Sequence, residues 1–456
     1  MSGIPHDAHP RVLALLRRYG WNATSFQVLE PGYSYWFDGE DACVAYVDTG
    51  GAWVVAGAPI APEERLAEVA ERFEAHAAAS GRRLCFFATE QRMLEAAALR
   101  GLSIGEQPVW DPRRWEEGVR ESRSLREQLR RARAKGVRIR EVTPAELKDP
   151  GHPMRAGVDR LMERWLRSRR MAPMGFLVQL SPYAWAEERR SFVAERDGEV
   201  VAFLSAVPVY ARNGWFVQHL MRDRKAPNGT AELLVDAVMR AAAEEGRSYL
   251  TLGLAPLAGA VAGWLRAARV VGTPLYDFEG LRSFKARLRP HAWDRIHLAW
   301  PARRSTPWPW PLYDALTAFA RGSLARFGVA TLLLRPLLLV WLLAVLLVPW
   351  TVLLALPANA PRFPSPLVQW GWVLFDVGLT VALFSLVRHW RKWLATLLAS
   401  VITGDACLTL LEALLYNAPR ARGPGDWLVM FVAVLAPATA AVLLFWARRH
   451  PTLEHV

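Results

Sequence analysis

The segment FVAERDGEVVAFLSAVPVY at residues 192–210 contains two runs of strand-favouring residues on either side of the turn signal Asp-Gly-Glu. A third strand is predicted at 215–222, where the sequence is WFVQHLMR. Residues 230–246 carry apolar side chains at helical spacing and end at a glycine, which is typical of a helix terminus. Further strands are predicted within 249–258 and near 296–300. The segments therefore predict three strands, a helix, a strand, a second helix and a closing strand, in that order.

This order of elements is that of an acyltransferase of the GNAT type. A similar pattern occurs earlier, with strand-like runs at 42–60, a helix at 62–80 and the strand-like RLCFFATE at 83–90. We therefore predict an α/β (α+β) fold class, with two GNAT-like domains in tandem followed by an all-α membrane domain. The predicted divisions are an N-terminal half at 1–112, a basic connecting helix at 113–145, a C-terminal catalytic half at 146–304, a juxtamembrane segment at 305–331 and a four-helix transmembrane domain at 332–456.

Long apolar segments follow the soluble part and predict about four transmembrane helices, at 332–356, 367–387, 394–416 and 427–446. Each is close to the roughly 20 residues that a helix needs to cross a bilayer. Basic residues are more frequent in the second connecting loop and at both ends of this region than in the other two loops, which favours cytoplasmic termini. We therefore expect a multi-pass protein of the bacterial cytoplasmic (inner) membrane, with its soluble domains in the cytoplasm.

Three acidic residues, Asp376, Asp405 and Glu412, lie within the predicted spans. Intramembrane carboxylates are costly and usually functional, although such residues can also pair with a neighbouring helix or lie near a helix end. Two roles for the four helices therefore stay open. They move a product across the bilayer, or they anchor an active site at the lipid surface, which is the interpretation that we favour.

The composition excludes several classes of protein and indicates an anionic partner. With 456 residues, 11% aromatic residues and only three cysteines, the chain is neither disordered nor collagen-like nor a small disulfide scaffold. Its 56 Lys and Arg against 43 Asp and Glu give a net charge of +13, which suits nucleic acid or an anionic bilayer. The cysteines form no pair or His/Cys cluster at metal spacing, so no metal is predicted, and the N-terminus lacks the apolar core of a signal peptide.

The most basic stretch runs from Arg113 to Arg140 and contains eleven Lys and Arg. One interpretation is a solvated helix face on which arginines pair with a glutamate such as Glu127 three or four residues away. The other is a phosphate-binding surface for RNA or for lipid headgroups. The candidate residues for that surface are Arg126, Arg130 and Arg131.

Several blocks of the chain resemble one family. Residues 218–229 (QHLMRDRKAPNG), 249–258 (YLTLGLAPLA) and 275–288 (LYDFEGLRSFKARL) are similar to the synthase domain of bacterial phosphatidylglycerol lysyltransferases, the multiple peptide resistance factor family. Residues 54–64 and 124–137 resemble the first half of that domain. The resemblance covers roughly residues 30–300 and implies a tandem GNAT-like enzyme that moves an aminoacyl group from aminoacyl-tRNA to the hydroxyl of a membrane lipid. It also implies a role in resistance to antimicrobial peptides.

The sequence departs from this family in four respects. The family commonly has Asp-Leu-Met-Arg where this chain has His219-Leu-Met-Arg222, and Asn-Phe-Gln-Gly where it has Asp277-Phe-Glu-Gly280. The segment 259–274 is short compared with that of the family. The membrane helices follow the synthase region, whereas in well-known members of the family they precede it. These departures leave open which amino acid is transferred and which lipid accepts it.

The implied reaction needs no cofactor, because an aminoacyl-tRNA ester is already activated. The enzyme must align a lipid hydroxyl with the ester carbonyl, remove a proton and stabilise the oxyanion. His219 is a candidate base, or simply a strand residue whose ring is satisfied. Asp277 is the alternative base, or a ligand for the substrate ammonium. Arg282, Lys285 and Arg222 are candidates for binding the oxyanion and a phosphate, and otherwise form surface ion pairs.

The start of the helix at 230 is a further candidate site, with Asn228 and Gly229 offering N–H groups to an anion and Glu279 as another substrate-binding residue. Two other functions stay open. An acyl-CoA-dependent enzyme would normally carry two or more glycines at this junction, whereas RDRKAPNGTAE at 222–232 has one. The second is a non-catalytic membrane protein that binds lipid or tRNA.

Overall fold

The computed structural model describes residues 8–169, 171–272, 276–302, 307–334, 336–421 and 423–448. The chain divides into two compact units, one up to residue 327 and one from residue 328 onwards. The first unit contains a mixed β-sheet with helices on its faces, and the second consists of helices. The predicted boundaries at 112/113 and 145/146 fall within the first unit and stay predictions.

In the described residues, one sheet of twelve strands forms the first unit, in the order β1-β2-β3-β4-β12-β5-β10-β9-β8-β7-β6, with β11 beside β5. The strands are β1 Ser34–Asp38, β2 Ala42–Asp48, β3 Ala52–Ala56, β4 Arg83–Glu90, β5 Leu99–Trp110, β6 Arg138–Val142, β7 Arg190–Arg196, β8 Glu199–Val209, β9 Gly214–Arg222, β10 Tyr249–Thr251, β11 Ala255–Pro256 and β12 Ala292–Pro301. The helices of this unit are α1 Ala8–Tyr19, α2 Leu66–Ala79, α3 Gln91–Ala96, α4 Trp115–Glu121, α5 Arg123–Ala134, α6 Pro144–Lys148, α7 Pro153–Arg167, α8 Thr230–Glu244, α9 Gly263–Gly272, α10 Phe278–Arg287 and α11 Trp310–Phe319.

The sheet shows the predicted internal repeat. Among its described pairings, β3–β4 and β9–β10 are parallel and the others are antiparallel. Each parallel pair is joined by one crossover helix, α2 in the first half and α8 in the second, as parallel neighbours require. The predicted tandem GNAT-like fold class is confirmed. The predicted connecting helix at 113–145 contains two helices, α4 and α5, followed by β6 and the first two residues of the short α6.

The two halves share this sheet. Strand β12 comes from the end of the second half but lies between β4 and β5 of the first, pairing with both in antiparallel fashion. Strand β5 also pairs with β10 of the second half. Because these strands are far apart in sequence, the halves are joined by backbone hydrogen bonds along the middle of the sheet.

Within its described residues, the second unit contains four helices that are long and apolar enough to cross a membrane, as predicted. They are preceded by α12 Leu324–Leu333, which begins in the first unit, and are α13 Pro336–Ala355, α14 Pro366–Arg388, α15 Lys392–Glu412 and α16 Pro424–Arg448. Helix α13 packs against α14 and α15 against α16. The Trp372 indole on α14 donates to a carboxylate oxygen of Glu412 on α15 at 3.1 Å, so this intramembrane acid has a partner on a neighbouring helix.

Helix α5 packs against the start of α8, and the contact leaves no room for a side chain at Gly229. This residue has φ +91°, and a Cβ there would lie 2.1 Å from the Gln128 carbonyl oxygen on α5. A buried carboxylate strengthens the same contact: Asp236 of α8 accepts from the Trp115 indole at 2.9 Å and pairs with Arg133 of α5 at 3.0 Å. The basic helix is therefore fixed to the crossover helix of the second half.

We predict that Gly229→Ala destabilises the full chain more than Gly136→Ala does. Gly136, just after α5, also has a positive φ, +80°, but no heavy atom lies within 4 Å of its Cβ position. Alanine at either site costs about 1–2 kcal/mol for the left-handed backbone, and at residue 229 it also collides with a backbone carbonyl. Thermal unfolding of the detergent-purified chain should show the larger fall in Tm for Gly229→Ala. Equal falls would contradict the close contact with α5.

Candidate functional site

The strand β9 carries a bulge at the sequence block that contains His219. Its pairing with β8 shifts register between Ser205–His219 and Ala206–Val217, so Gln218 has no residue opposite it. Bulges of this kind redirect side chains and often lie beside active sites. Pairing between β9 and β10 ends at Phe216 among the described residues, six residues before β9 itself ends. The second part of β9 therefore has no described pairing on the side of β10.

A buried guanidinium lies beside this bulge. Arg189, just before β7, pairs with Glu30 at 3.4 Å, and each side chain is 1% exposed. Arg189 also donates to the side-chain Oε1 of Gln218 at 2.7 Å, and the side-chain Nε2 of Gln218 donates to Glu30 at 2.5 Å. We refer to Glu30, Tyr33, Arg189, Ser205, Gln218 and His219 as the Arg189 cluster. It joins a carboxylate of the first half to an arginine and a strand of the second.

His219 lies opposite Ser205 in this cluster and is 6% exposed. Burial, together with the charge of Arg189, lowers the pKa of His219 to about 3. The ring is therefore neutral at physiological pH and is a weak base. Its Nε2 atom is buried and has no hydrogen-bond partner among the described residues. The structure thus gives His219 a free polar atom rather than the satisfied ring of a purely structural strand residue.

Two further polar atoms of the Arg189 cluster are buried and unpartnered in the described chain, namely the second carboxylate oxygen of Glu30 and the Tyr33 hydroxyl. Burial raises the pKa of Glu30 to about 7, although Gln218 and Arg189 act in the opposite direction. Burial and the nearby Glu30 raise the pKa of Tyr33. Each unpaired buried group costs about 1–3 kcal/mol. Three such atoms around one ion pair indicate a place that is completed by a polar ligand or by water.

Lys285 on α10 occupies a second buried position. Its ammonium donates to three backbone carbonyls in the loop after β10, those of Leu252 at 2.9 Å, Gly253 at 2.7 Å and Leu254 at 2.9 Å. Burial lowers the pKa of Lys285 to about 7, but three acceptor carbonyls require three N–H groups and so match the protonated form. All three protons are used inside the protein. Lys285 therefore fixes the loop that follows β10.

The other candidates on and beside α10 lie nearer the surface. Arg282 pairs with Glu106 of β5 at 2.9 Å and stacks on the Trp293 ring, 4.2 Å from its centroid. Asp277 is the N-cap of α10 and accepts from the Gly280 N–H at 2.8 Å, while Glu279 is exposed in the first turn. The structure thus brings Arg282 and Lys285 together on one helix. It describes no contact between them and the Arg189 cluster.

The start of α8 differs from an open anion site. Asn228 is exposed, but Gly229 is buried against the backbone of α5. Arg222, at the end of β9, is partly buried, and its guanidinium makes no described hydrogen bond or ion pair. Of these three residues, Arg222 is therefore the one whose side chain can offer a positive charge to an external anion.

The basic stretch contains both paired and unpaired cations. Arg130 and Arg131 both pair with Glu127, at 2.8 and 2.7 Å, and their hydrogen bonds lower the pKa of Glu127 to about 2. Arg126 donates to backbone carbonyls at the end of α4. Four other cations are exposed and make no ion pair with any described acid: Arg120, Arg123, Lys135 and Arg138. The ion pairing predicted for Glu127 is therefore present, and phosphate binding by the basic stretch stays a prediction.

Sequence reasoning missed Glu30, Arg189 and Glu106, which lie in no recognisable motif, and it did not single out Gln218 within the block at 218–229. Gln218 had the only available signal, since it directly precedes His219 on a predicted strand.

The described residues contain no group of three or more His, Cys, Asp or Glu placed to hold a metal ion. The Cys43 and Cys85 thiols are buried, and Cys407 is exposed.

The second unit has a groove of its own. It has a volume of about 440 Å³ and lies between α14 and α15, with Gly371, Trp372, Phe375, Gly404 and Asp405 among its lining residues. Asp405 also accepts from the Thr409 hydroxyl at 3.2 Å. The groove is mainly apolar, with one carboxylate.

Known proteins share the fold and part of the sequence. A phosphatidylglycerol lysyltransferase of Bacillus subtilis (strain 168) is 31% identical over 160 residues, which are 32% of this chain and only 18% of that relative. The C-terminal domain of an Agrobacterium fabrum protein described as a lysylphosphatidylglycerol synthetase aligns with a TM-score of 0.59 and 21% identity over 70% of this chain and 98% of its own. The structure of L-PGS from Bacillus licheniformis aligns with a TM-score of 0.57 and 21% identity, over 68% and 96%.

These two solved structures support the fold, and the predicted resemblance is confirmed by a family model. The model of the phosphatidylglycerol lysyltransferase C-terminal region matches residues 13–299, which are more than half of the chain. The matched region covers the sheet up to β12, including the Arg189 cluster and α10. The chain therefore belongs to the family of phosphatidylglycerol lysyltransferase C-terminal regions.

Proposed function

We propose that the protein is a membrane-bound aminoacyltransferase that moves an aminoacyl group from aminoacyl-tRNA to the hydroxyl of a membrane lipid such as phosphatidylglycerol. The observation that carries this proposal is that the family region at 13–299 is followed, on the same chain, by four helices able to span a bilayer. A lipid acceptor requires an enzyme at the membrane surface, and those helices would anchor it there. The distribution of basic residues favours an inner-membrane protein whose catalytic region faces the cytoplasm, where aminoacyl-tRNA is available.

The reaction exchanges one ester for another. The lipid hydroxyl oxygen attacks the aminoacyl carbonyl carbon, the bond from that carbon to the ribose oxygen of tRNA breaks, and the hydroxyl proton ends on the ribose oxygen. Rate acceleration requires alignment, a group that carries the proton and a positive charge near the oxyanion. No metal or covalent intermediate is needed for this balance.

The Arg189 cluster offers these groups in one place. Glu30 has a pKa of about 7 and a free carboxylate oxygen, so it is better matched to proton transfer at neutral pH than His219, whose pKa is about 3. We assign the proton to Glu30 and a hydrogen bond with the substrate to His219. The buried charge of Arg189 would stabilise the developing oxyanion, since a nearby cation acts strongly where water is excluded.

Residues outside the cluster would bind and position the substrates. Lys285 holds the loop after β10 and acts as a positioning residue, whereas Arg222 and Arg282 are candidates for phosphate binding. Asp277, Asn228 and Glu279 stay candidates for contacts with the aminoacyl or tRNA part. The backbone of α5 covers Gly229 at the start of α8, where an acyl-CoA enzyme would hold a pyrophosphate, and this contact favours aminoacyl-tRNA over CoA.

Cells that express the full chain should contain a new ninhydrin-positive lipid, and its mass should equal an acceptor lipid plus one aminoacyl residue. Lys285→Ala should abolish it, because three carbonyls of the loop after β10 lose their donor. Lys225→Ala, at an exposed lysine in the loop between β9 and α8, is the matched control and should leave the lipid in place. Lipid mass spectrometry decides the result. In isolated membranes, ribonuclease should stop the reaction, and persistence of the product would exclude tRNA as donor.

Glu30→Gln should lower transfer by about 10²-fold or more, because the proton acceptor is lost. In the parent chain, activity should rise with pH through about 7, since the carboxylate acts in its deprotonated form. The variant should lose that dependence. Glu30→Asp keeps the negative charge beside Arg189 and should retain both the pH profile and part of the rate. Thermal unfolding of each variant separates loss of fold from loss of function, and an unchanged pH profile in Glu30→Gln would exclude this assignment.

Removal of unpaired cations from the basic stretch should weaken tRNA binding more than removal of paired ones. The double variant Arg123→Ala/Lys135→Ala loses two cations without ion pairs, whereas Arg130→Ala/Arg131→Ala loses two that share Glu127. Filter binding over a range of salt concentrations measures both affinity and its salt slope. Each lost phosphate contact should reduce the slope by about 0.7–0.9. Equal effects of the two double variants would contradict binding through the unpaired cations.

A further inference from the structure

Exposed large hydrophobic side chains are concentrated on two neighbouring segments of the first unit. The described part of residues 8–327 exposes eight such side chains. Six of them lie on α9 or between residues 308 and 316, namely Trp264, Val270, Trp308, Trp310, Tyr313 and Leu316. We refer to these six residues as the aromatic patch. Single exposed hydrophobic residues are normal, but a contiguous group of this kind marks an interaction surface.

Contacts between the aromatic rings hold the two segments together. The Trp264 ring on α9 lies 5.2 Å from the Trp308 ring, and Trp310 lies 5.6 Å from Tyr313. Behind them, Arg83 stacks on Trp310 at 4.7 Å and forms two hydrogen bonds, of 2.6 and 2.8 Å, with the buried Asp314. The aromatic patch is therefore a preformed surface and not a set of loose side chains.

Helix α9 presents apolar residues away from the protein core. Leu265 is its anchor and is 4% exposed, whereas Val270, 140° further round the helix, is 70% exposed. Ala267 lies beside Val270 on this outward face and is also exposed. A surface helix in water normally presents polar residues outward. Helix α9 also carries Arg266 and Arg269 and no acidic residue. This combination of an outward apolar face and basic residues is typical of helices that lie in a membrane interface.

We propose that the aromatic patch docks on the interfacial region of an anionic bilayer, with α9 lying in the membrane plane. Tryptophan and tyrosine prefer the headgroup region, and the two arginines of α9 complement anionic lipid. The chain itself argues for this occupant, because the first membrane-spanning helix begins at Leu337, only 18 residues after α11 ends at Phe319. Every copy of the protein therefore carries a membrane-spanning helix a short stretch of chain beyond the patch.

Docking would also have a consequence for the Arg282–Glu106 pair. The segment that leads into α9 contacts this pair at Gly259, where a Cβ would lie 2.3 Å from a Glu106 carboxylate oxygen. Glycine permits that approach and has φ +71° there. A helix that lies in the interface would thus bring this pair close to the lipid headgroups. The docking itself does not depend on the proposed transfer reaction.

The test uses the full chain, one copy per lipid nanodisc, with an environment-sensitive fluorophore at Val270→Cys. The exposed Cys407 is first replaced by alanine, whereas Cys43 and Cys85 are buried and stay. Burial raises the pKa of Cys43 to about 12 and that of Cys85 as well, so neither thiol competes for the label. The matched control carries the label at Glu199→Cys, an exposed position at the start of β8. Unchanged thermal unfolding confirms that both labelled chains are folded.

In nanodiscs that contain phosphatidylglycerol, lipids with a quencher near the headgroup should reduce emission severalfold at residue 270 and leave residue 199 unaffected. Aqueous iodide should show the reverse pattern. Arg266→Glu in the same background should reduce the lipid quenching at residue 270. Iodide access at residue 270 equal to that at 199 would overturn the proposal. Protection from iodide without lipid quenching would also overturn it, because the patch would then be covered by protein or nucleic acid. Neither readout requires transfer, so a failed aminoacyltransferase assay leaves this result independent.

Discussion

The ion pair between Arg189 and Glu30 is the constraint on which the candidate site depends. Both side chains are 1% exposed, and removal of one partner from such a pair typically costs about 3–5 kcal/mol. The two residues come from different halves of the first unit, so the pair forms only when the two halves are correctly positioned relative to each other. Gln218 completes it by accepting from Arg189 and donating to Glu30, which requires the bulge in β9. The neutral state of His219 follows in part from the same guanidinium.

The shared sheet holds the two halves in this relative position. Because β12 lies between β4 and β5, the last strand of the second half is hydrogen-bonded on both sides to the first half. The loop after β10 is held by Lys285 of α10, whose ammonium donates to three carbonyls of that loop. A buried ammonium on three carbonyls is an unusual way to fix a loop, since the charge must be desolvated. It gives this loop a defined position beside β9, where the described pairing between β9 and β10 ends.

Sequence patterns predicted the elements but not the partners. Alternating strands, a helix with its stop signal at Gly246 and four long apolar runs are local signals, and the described structure contains each of these elements. The pairing of Arg131 with Glu127 was also predictable, because it spans a single helical turn. By contrast, Glu30 and Arg189 are 159 residues apart, and nothing in either neighbourhood indicates the other. The partners of Lys285 are backbone carbonyls, which leave no trace in residue identity.

A neutral side chain at position 219 preserves the charge balance of the same ion pair. An aspartate there would place a second carboxylate beside Arg189 and compete with Glu30 for its charge. The neutral imidazole of His219 does not compete with Glu30 for the positive charge of Arg189. The charge of the cluster is therefore balanced, with one cation and one anion. A buried site with balanced charge avoids the cost of an uncompensated carboxylate. Under the proposed function, the acidic role would therefore lie on Glu30, in the other half of the unit from His219.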